Sequence, residues 1–471
     1  MSKQKKRISA FGDDALGTLD GVGIAGKIAS REISPQEAVQ AAIARAEKVN
    51  AQLNAIVAPT YESAITKAAA PQEGVFSGVP TFLKDTENFR GAPRRFGSRA
   101  VPADPATRNS SFVRQYLSLG VIVLGKTAMP EFGLTATTEP LLNGPTRNPW
   151  NTDYSTGGSS GGSAAMVASG VVPFAHGNDG GGSIRIPAAC CGLVGLKPSR
   201  GRLKKFDGSD RMPIDIIYQG FLSRTVRDTA AFYAGAEKYY RNTNLPEIGL
   251  VKGPAKKRLR MGVFASTPFD DECHPDYARL AMDVARGCER LGHKVEQIPC
   301  PCTLKESEDL IAYWGMLAWS ISRFGKVIIS RGFQKKYLEP WTTGFARIYQ
   351  KRIMRTSSIV KGLKQFSRRF NGMFDTYDIL ISPTLATPTP KIGYIGPDVP
   401  FEVAFERLKR YVCFTPLQNM SGAPAISLPL GMSDEGVPMG IQFGAGFGRE
   451  KTLLELAFEL EQERPWPRLG G

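Results

Sequence analysis

The 471-residue chain reads as an α/β fold. Three observations lead there. From Arg258 a short apolar run, Met261 to Phe264, is followed by a helical stretch, about Pro275 to Leu291, and a second strand-like run, Lys294 to Ile298. Strand, helix, strand is the unit from which α/β domains are built. Short apolar runs recur elsewhere between helical patterns, at Val121 to Leu124, Tyr377 to Pro383 and Met439 to Phe443. No linker, repeat, coiled coil or low-complexity tract divides the chain, so residues 1–471 are expected to form one domain.

The elements follow in order. Ser34-Pro35-Gln36-Glu37 predicts a helix start: Ser34 suits the N-cap, Pro35 the first turn, and Glu37 completes a capping box. Val39, Ala42, Ile43 and Ala46 carry its apolar face to about Asn50. Gly78 to Asp85 reads as a buried strand ending in Lys84-Asp85. A lysine there is either salt-bridged to Asp85 or a desolvated amine able to act as a base. Ser110 to Leu119 predicts a helix stopped by Gly120, and Val121 to Leu124 a strand. Gly120-x4-Gly125-Lys126-Thr127 matches the phosphate-loop pattern literally. We reject it, because that loop needs a strand before its first glycine, and here a helix precedes Gly120.

The most informative stretch is Gly157 to Pro187, GGSSGGSAAMVASGVVPFAHGNDGGGSIRIP. It reads as loop, helix, strand, loop, with Val171 to Phe174 as the strand. Glycine runs mark backbone that must adopt unusual dihedrals or approach something closely. Consecutive unobstructed N–H groups suit an oxyanion site, and a serine at the end of such a run is placed to be a nucleophile. A flexible linker would lack the interleaved apolar residues.

Further on, Arg224 to Ala234 predicts a helix stopped by Gly235. Residues 305–370 read as mainly helical and hold Trp314, Trp319 and Trp341, which could line a pocket or fill core. Asn419 to Pro429 reads as a loop entering a strand, and Glu450 to Glu463 as a closing helix.

Composition narrows the function. Hydrophobic residues are 42% and charged residues 22%, enough for a sizeable core. No run of 18 apolar residues exists, so no membrane span is expected. The start, MSKQKKRISAFGDD, is basic without an apolar segment, unlike a secretory signal. Seven irregularly spaced cysteines and three histidines argue against a zinc site and fit a reducing cytoplasm. A net charge of +16 raises nucleic acid as a partner. The densest basic run, Arg347 to Phe370, has only loosely periodic apolar residues, and we read it as a solvated helix pair, not a nucleic-acid site.

The runs GGSSGGSAAMVASG and GNDGGGSIRIPAACCGLVGLKPSRGR resemble the amidase signature family, as do GVPTFLKD, GPTRNPWN and NMSGAPAISLPLG. The likeness extends over roughly residues 20 to 465. It implies a single α/β domain with a central, mostly mixed sheet flanked by helices on both faces, and a substrate pocket at the helical segment 305–370. It also implies amide hydrolysis by a Ser–cis-Ser–Lys triad. Ser183 would be the nucleophile, Ser159 the cis-peptide serine and Lys84 the base. Ser160 is the neighbour to be told from Ser159. Lys126 is the one to be told from Lys84, but its GKT-x-x-PEF setting matches a noncatalytic block.

The N–H groups of Gly180, Gly181, Gly182 and Ser183 would form the oxyanion hole. Asp179 and Arg185 would be a supporting ion pair, and Gly157 and Gly158 would contact substrate. Residue chemistry agrees: serine needs a base, and only His176 lies near the motif, so lysine must serve in its neutral form. No metal or cofactor is implied. The partner would be a small-molecule amide, and a homodimer is compatible with the reading.

Within the resemblance, a stand-alone amidase competes with the glutaminase subunit of a tRNA-dependent amidotransferase. The block GNDGGGSIRIP has Ile186 where the amidotransferase subunits usually carry glutamine. It is more similar to hydrolases of the 6-aminohexanoate cyclic-dimer or aryl-acylamidase type, and the stand-alone enzyme is favoured. A catalytically silent binding protein is disfavoured because all three triad residues are present.

Overall fold

The computed structural model describes residues 7–269 and 273–470; the first six residues of the basic N-terminal stretch lie outside the described residues. A small sheet comes first in the chain. It comprises β1 (Ile56–Pro59), β2 (Pro80–Lys84) and β3 (Ile122–Thr127), in the order β1-β3-β2. A two-stranded ribbon follows, β4 (Arg147–Asn148) with β5 (Asn151–Ser155).

The main sheet has eight strands: β6 (Phe174–Asp179), β7 (Val194–Lys197), β8 (Tyr218–Ser223), β9 (Arg260–Val263), β10 (Lys294–Gln297), β11 (Ile379–Pro383), β12 (Ala425–Met432) and β13 (Pro438–Ala445). Their spatial order is β10-β9-β11-β13-β12-β7-β8-β6. β9 runs parallel to β10 and β11, as the strand–helix–strand reading requires, and the other pairings are antiparallel. The sheet is therefore mixed, and helices flank it. The Arg185–Cys191 helix packs on β7, β12 and β13, and the Glu450–Glu463 helix on β12 and β13.

β2 lies against β6, at the edge of the main sheet. Two side-chain bonds tie them. Thr81 Oγ1 donates to the Phe174 carbonyl at 3.0 Å, and the Lys84 N–H donates to His176 Nδ1 at 3.2 Å. The last residue of β2 is thereby held beside the last residues of β6.

The Pro35–Leu53 helix begins with the expected capping box: Ser34 Oγ accepts from the Glu37 N–H at 3.1 Å, and Glu37 accepts from the Ser34 N–H at 2.7 Å. Gly125, Lys126 and Thr127 lie inside β3, which removes any phosphate loop.

Four local expectations are corrected. The strand of the glycine-rich stretch is Phe174–Asp179, not Val171 to Phe174. Pro173 has no N–H to give to a ladder, so pairing with β8 starts at Phe174. The polar residues His176, Asn178 and Asp179 can be buried in this strand because the side chains of Gln219, Lys84 and Arg185 bond them. Gly235 does not stop its helix, which runs Val226–Tyr239. It is a close-packing point instead: a Cβ there would fall 2.7 Å from Val75 Cγ1. Asn419 belongs to a short helix, Pro416–Ser421, started by Pro416 and ended by Gly422 at φ 84°. In the basic run, the Thr356–Gly372 helix is regularly amphipathic. Ile359, Leu363, Phe366 and Phe370 face inward, while Lys361, Lys364, Arg368 and Arg369 are exposed.

Among the described residues no helix is long and apolar enough to cross a membrane.

Candidate active site

β2 is buried along its whole length and delivers Lys84 into the interior. Lys84 makes no bond with Asp85. Asp85 pairs with Lys126 at 3.6 Å and accepts from the N–H groups of Arg95 and Gly97. Lys126 also donates to the Glu87 carbonyl at 2.6 Å, which makes it a brace for this loop.

Lys84 Nζ instead stands 2.7 Å from Ser159 Oγ and 2.6 Å from Asn178 Oδ1. Burial pushes its ammonium pKa down to about 7, against the opposing pull of the Asp179 and Glu87 carboxylates. A neutral amine at this position has a lone pair for the Ser159 hydroxyl and an N–H for Asn178. The peptide joining Gly158 to Ser159 is cis, at the position expected from the family resemblance.

His176 lies behind Lys84. Its Nδ1 accepts from the Lys84 backbone, and its Nε2 is 2.9 Å from Gln219 Oε1. Burial holds its pKa near 3, helped by the Lys84 and Lys126 charges and opposed by the Gln219 bond. It is a neutral strut. Gln219 in turn donates to Glu87 at 2.7 Å, and Glu87 accepts from Ser110.

The second glycine cluster is shaped by Asp179. Burial opposes its ionisation, but Arg185 and Asn419 hold the carboxyl at about 2. Arg185 meets both carboxylate oxygens, at 3.0 and 2.9 Å. Arg185 also reaches Gln418, Gln442 and Asn419, which ties the loop to the Pro416–Ser421 helix and to β13. The pair is thus an anchor.

Asp179 also takes the Gly182 N–H at 2.7 Å and the Ile184 N–H at 3.2 Å. The carbonyl of the same Gly181–Gly182 peptide accepts from Thr415 Oγ1 at 2.7 Å. That peptide is held at both ends, so the Gly182 N–H faces Asp179 and is withdrawn from the four-donor oxyanion set. Among the described residues the N–H groups of Gly180, Gly181 and Ser183 have no hydrogen-bond partner. Ser183 follows immediately, before the helix that starts at Arg185, and its Oγ makes no hydrogen bond among the described residues.

Two cavities meet at Ser183. A smaller one, about 120 Å³, is lined by Gly158, Gly181, Ile186, Leu310, Phe345 and Phe405 among others. A larger one, about 550 Å³, is lined by Ser159, Asn178, Met129, Phe132, Ile321 and Phe324 among others. The expected helical segment and the 410–422 region both contribute. Trp314 faces both cavities, whereas Trp341 is core, stacked on Phe345. Gly158 lines the smaller cavity, but Gly157 does not. A Cβ on Gly157 would fall 2.9 Å from Cys190 Sγ, so it seats the loop on the Arg185–Cys191 helix. Among the described residues no three His, Cys, Asp or Glu side chains are grouped to hold a metal ion.

Lys84, Ser159 and Ser183 thus converge on one place. Sequence reasoning missed Asn178, Thr415, Asn419, Gln418 and Gln442 as parts of the site. Asn178 and Asn419 stood inside motifs already noticed, but nothing in their spacing named their partners.

Comparison with known proteins identifies the family. The amidase family model matches residues 37–454. A putative amidase, AmiC, of Mycobacterium leprae is 46% identical over 467 residues, covering 98% of this chain and 99% of that protein. The structure of a 6-aminohexanoate cyclic dimer hydrolase complexed with substrate superposes with a TM-score of 0.86 at 32% identity, covering 95% of this chain and 98% of that one. A bacterial aryl acylamidase superposes with a TM-score of 0.82 at 27% identity, covering 95% and 96%. The chain belongs to the amidase signature family and is an amide hydrolase acting on carbon–nitrogen bonds other than peptide bonds.

Proposed function

We propose that the chain hydrolyses amides through an acyl-enzyme on Ser183, with Lys84 as base and Ser159 as proton relay. The observation that carries this reading is the 2.7 Å approach of a fully buried lysine amine to Ser159 Oγ. Ser183 Oγ adds to the amide carbonyl carbon while its proton passes to Ser159 and the Ser159 proton to Lys84. The unoccupied N–H groups of Gly180, Gly181 and Ser183 are the donors left for the developing oxyanion, where one such donor is typically worth about 100- to 1000-fold in rate. The C–N bond breaks as the proton returns through Ser159 to the leaving nitrogen. Water then adds to the ester carbonyl by the same relay and releases the acid.

The smaller cavity supports a stand-alone amidase over a glutaminase subunit. A glutaminyl acyl group carries an ammonium and a carboxylate, which need charged partners when buried. Among the described residues the only charged lining residue is Lys409, already paired with Glu406 at 2.8 Å.

A serine-reactive fluorophosphonate tests the reading. Mass spectrometry should find the adduct on Ser183, and Lys84→Ala should abolish it. No adduct on Ser183, or one unchanged in Lys84→Ala, overturns the mechanism.

A further inference from the structure

Ser183 lies at the junction of the two cavities, and the proton chemistry distinguishes them. Gly133, Leu134, Gly180, Ser183 and Trp314 line both and form the boundary. Trp314 is its wall. A Cβ on Gly180 would fall 2.8 Å from the Trp314 ring, and the indole Nε1 donates to the Leu134 carbonyl at 3.4 Å. Only the larger cavity is lined by Ser159 and Asn178, the two groups bonded to Lys84. The leaving nitrogen must receive its proton from that side. The acyl half then occupies the other side, next to Gly181.

Both cavities are mainly apolar. The larger has Met129, Phe132, Phe206, Ile321 and Phe324, with Asp207 and the exposed Arg211 as its charged members. The smaller, about 120 Å³ against about 550 Å³, has Ile186, Leu310, Phe345 and Phe405.

Resting on Ser183 as nucleophile, we infer that the substrate is a secondary amide with apolar groups on both sides of the scissile bond. The shorter, acyl half sits in the Leu310 cavity, the bulkier amine half sits in the Ile321 cavity, and Trp314 divides the two. A primary amide that releases only ammonia would leave the larger cavity empty and forgo its apolar contacts. Balance is kept: the C–N bond breaks, the Ser183 Oγ–C bond forms, and the hydroxyl proton leaves on the amine nitrogen.

Two substrate series test this on the unmodified enzyme. One lengthens the N-alkyl chain of an acetamide; the other lengthens the acyl chain at fixed amine. In the first, kcat/KM should rise about fourfold per methylene until the cavity is filled. In the second it should stop rising at a shorter length.

Ile321→Trp should lower the tolerated N-alkyl length only. Leu310→Trp should lower the tolerated acyl length only, with amides and with esters of the same acid. Trp314→Ala should admit longer acyl chains. The inference is overturned if the two blocking variants exchange their effects, or if primary amides match the secondary ones in kcat/KM. Trapped acyl-enzyme is located by mass spectrometry in every arm. An acyl group on Ser183 with exchanged cut-offs refutes the cavity assignment alone, whereas no acyl group on Ser183 refutes the nucleophile as well.

Discussion

Asn178 Oδ1 lies 2.6 Å from Lys84 Nζ, the shortest of the contacts that orient the buried amine. An amide oxygen can only accept, so it fixes one Lys84 N–H and turns the lone pair towards Ser159. It does so without adding charge. Asn178→Asp changes only that. A carboxylate beside the amine favours the ammonium form and raises its pKa by about 1 to 3 units in such settings. Lys84 as the proposed base must be neutral, and its pKa is near 7, so activity should rise with pH through that value. In Asn178→Asp the rising limb of the kcat/KM profile should move up by at least about one unit, with kcat/KM at pH 7 about fivefold or more lower. An unshifted limb would show that Asn178 does not orient the base.

Lys84 also links stability to pH. Its folded pKa, about 7, is below its ordinary value of 10.5, so the unfolded chain binds the proton more tightly. Stability therefore rises with pH between about 7 and 10.5 and is flat below the lower value. Denaturant unfolding at pH 7, 8 and 9 should show this gain in the wild-type protein. The gain should be smaller in Lys84→Met, because the buried Lys126 and Lys197 amines are also held below their ordinary range and keep their share. The variant should also lose about 100- to 10,000-fold in kcat, the usual worth of a general base.

The Asp179–Arg185 pair is completely buried, so removing one partner leaves an uncompensated charge. Asp179→Asn or Arg185→Met should each destabilise the protein by about 3 to 5 kcal/mol. The double variant should be much less destabilised than the sum, as read from a denaturant double-mutant cycle. Asp179 has a depressed folded pKa of about 2, so its contribution is complete above its ordinary 3.8 and fades as pH falls towards 2.

Thr415 holds the carbonyl end of the peptide whose N–H is taken by Asp179. Thr415→Val keeps the shape and removes the donor. Free to rotate, the Gly181–Gly182 peptide should no longer present the neighbouring N–H groups in register. We expect kcat to fall about tenfold or more with little change in KM, because an oxyanion donor acts mainly in the transition state. Gly182→Ala should be harsher: its Cβ would fall 2.3 Å from Thr415 Oγ1 at φ 128°. Steady-state kinetics and thermal unfolding of the two variants separate the two effects.

Much of this could be read along the chain. The capping box at Ser34, the strand ending on Lys84 and the strand–helix–strand unit after Arg258 all rest on patterns spanning a few residues. So does the pair of glycine clusters, which hold Ser159 and Ser183, while the separate GVPTFLKD run holds Lys84. The errors were local contests decided by tertiary packing. Gly235 looked like a helix stop but serves close approach to Val75, and Val171 looked like strand but Pro173 delays the ladder.

What the sequence by itself determined is the order of elements and the motifs that carry the proposed reacting groups, because periodicity, turn chemistry and motif spacing are short-range. Which groups they meet was decided only in three dimensions. Asn419 reaches Asp179 across 240 positions, and Thr415 reaches Gly181 across 234, because β6 and the Pro416–Ser421 helix are brought together by the sheet. The same assembly sets Asn178 against Lys84, turns the Gly182 N–H away from the substrate side, and places Trp314 between two cavities. Hydrogen bonds and burial select partners by distance in space, and sequence spacing carries no record of that distance.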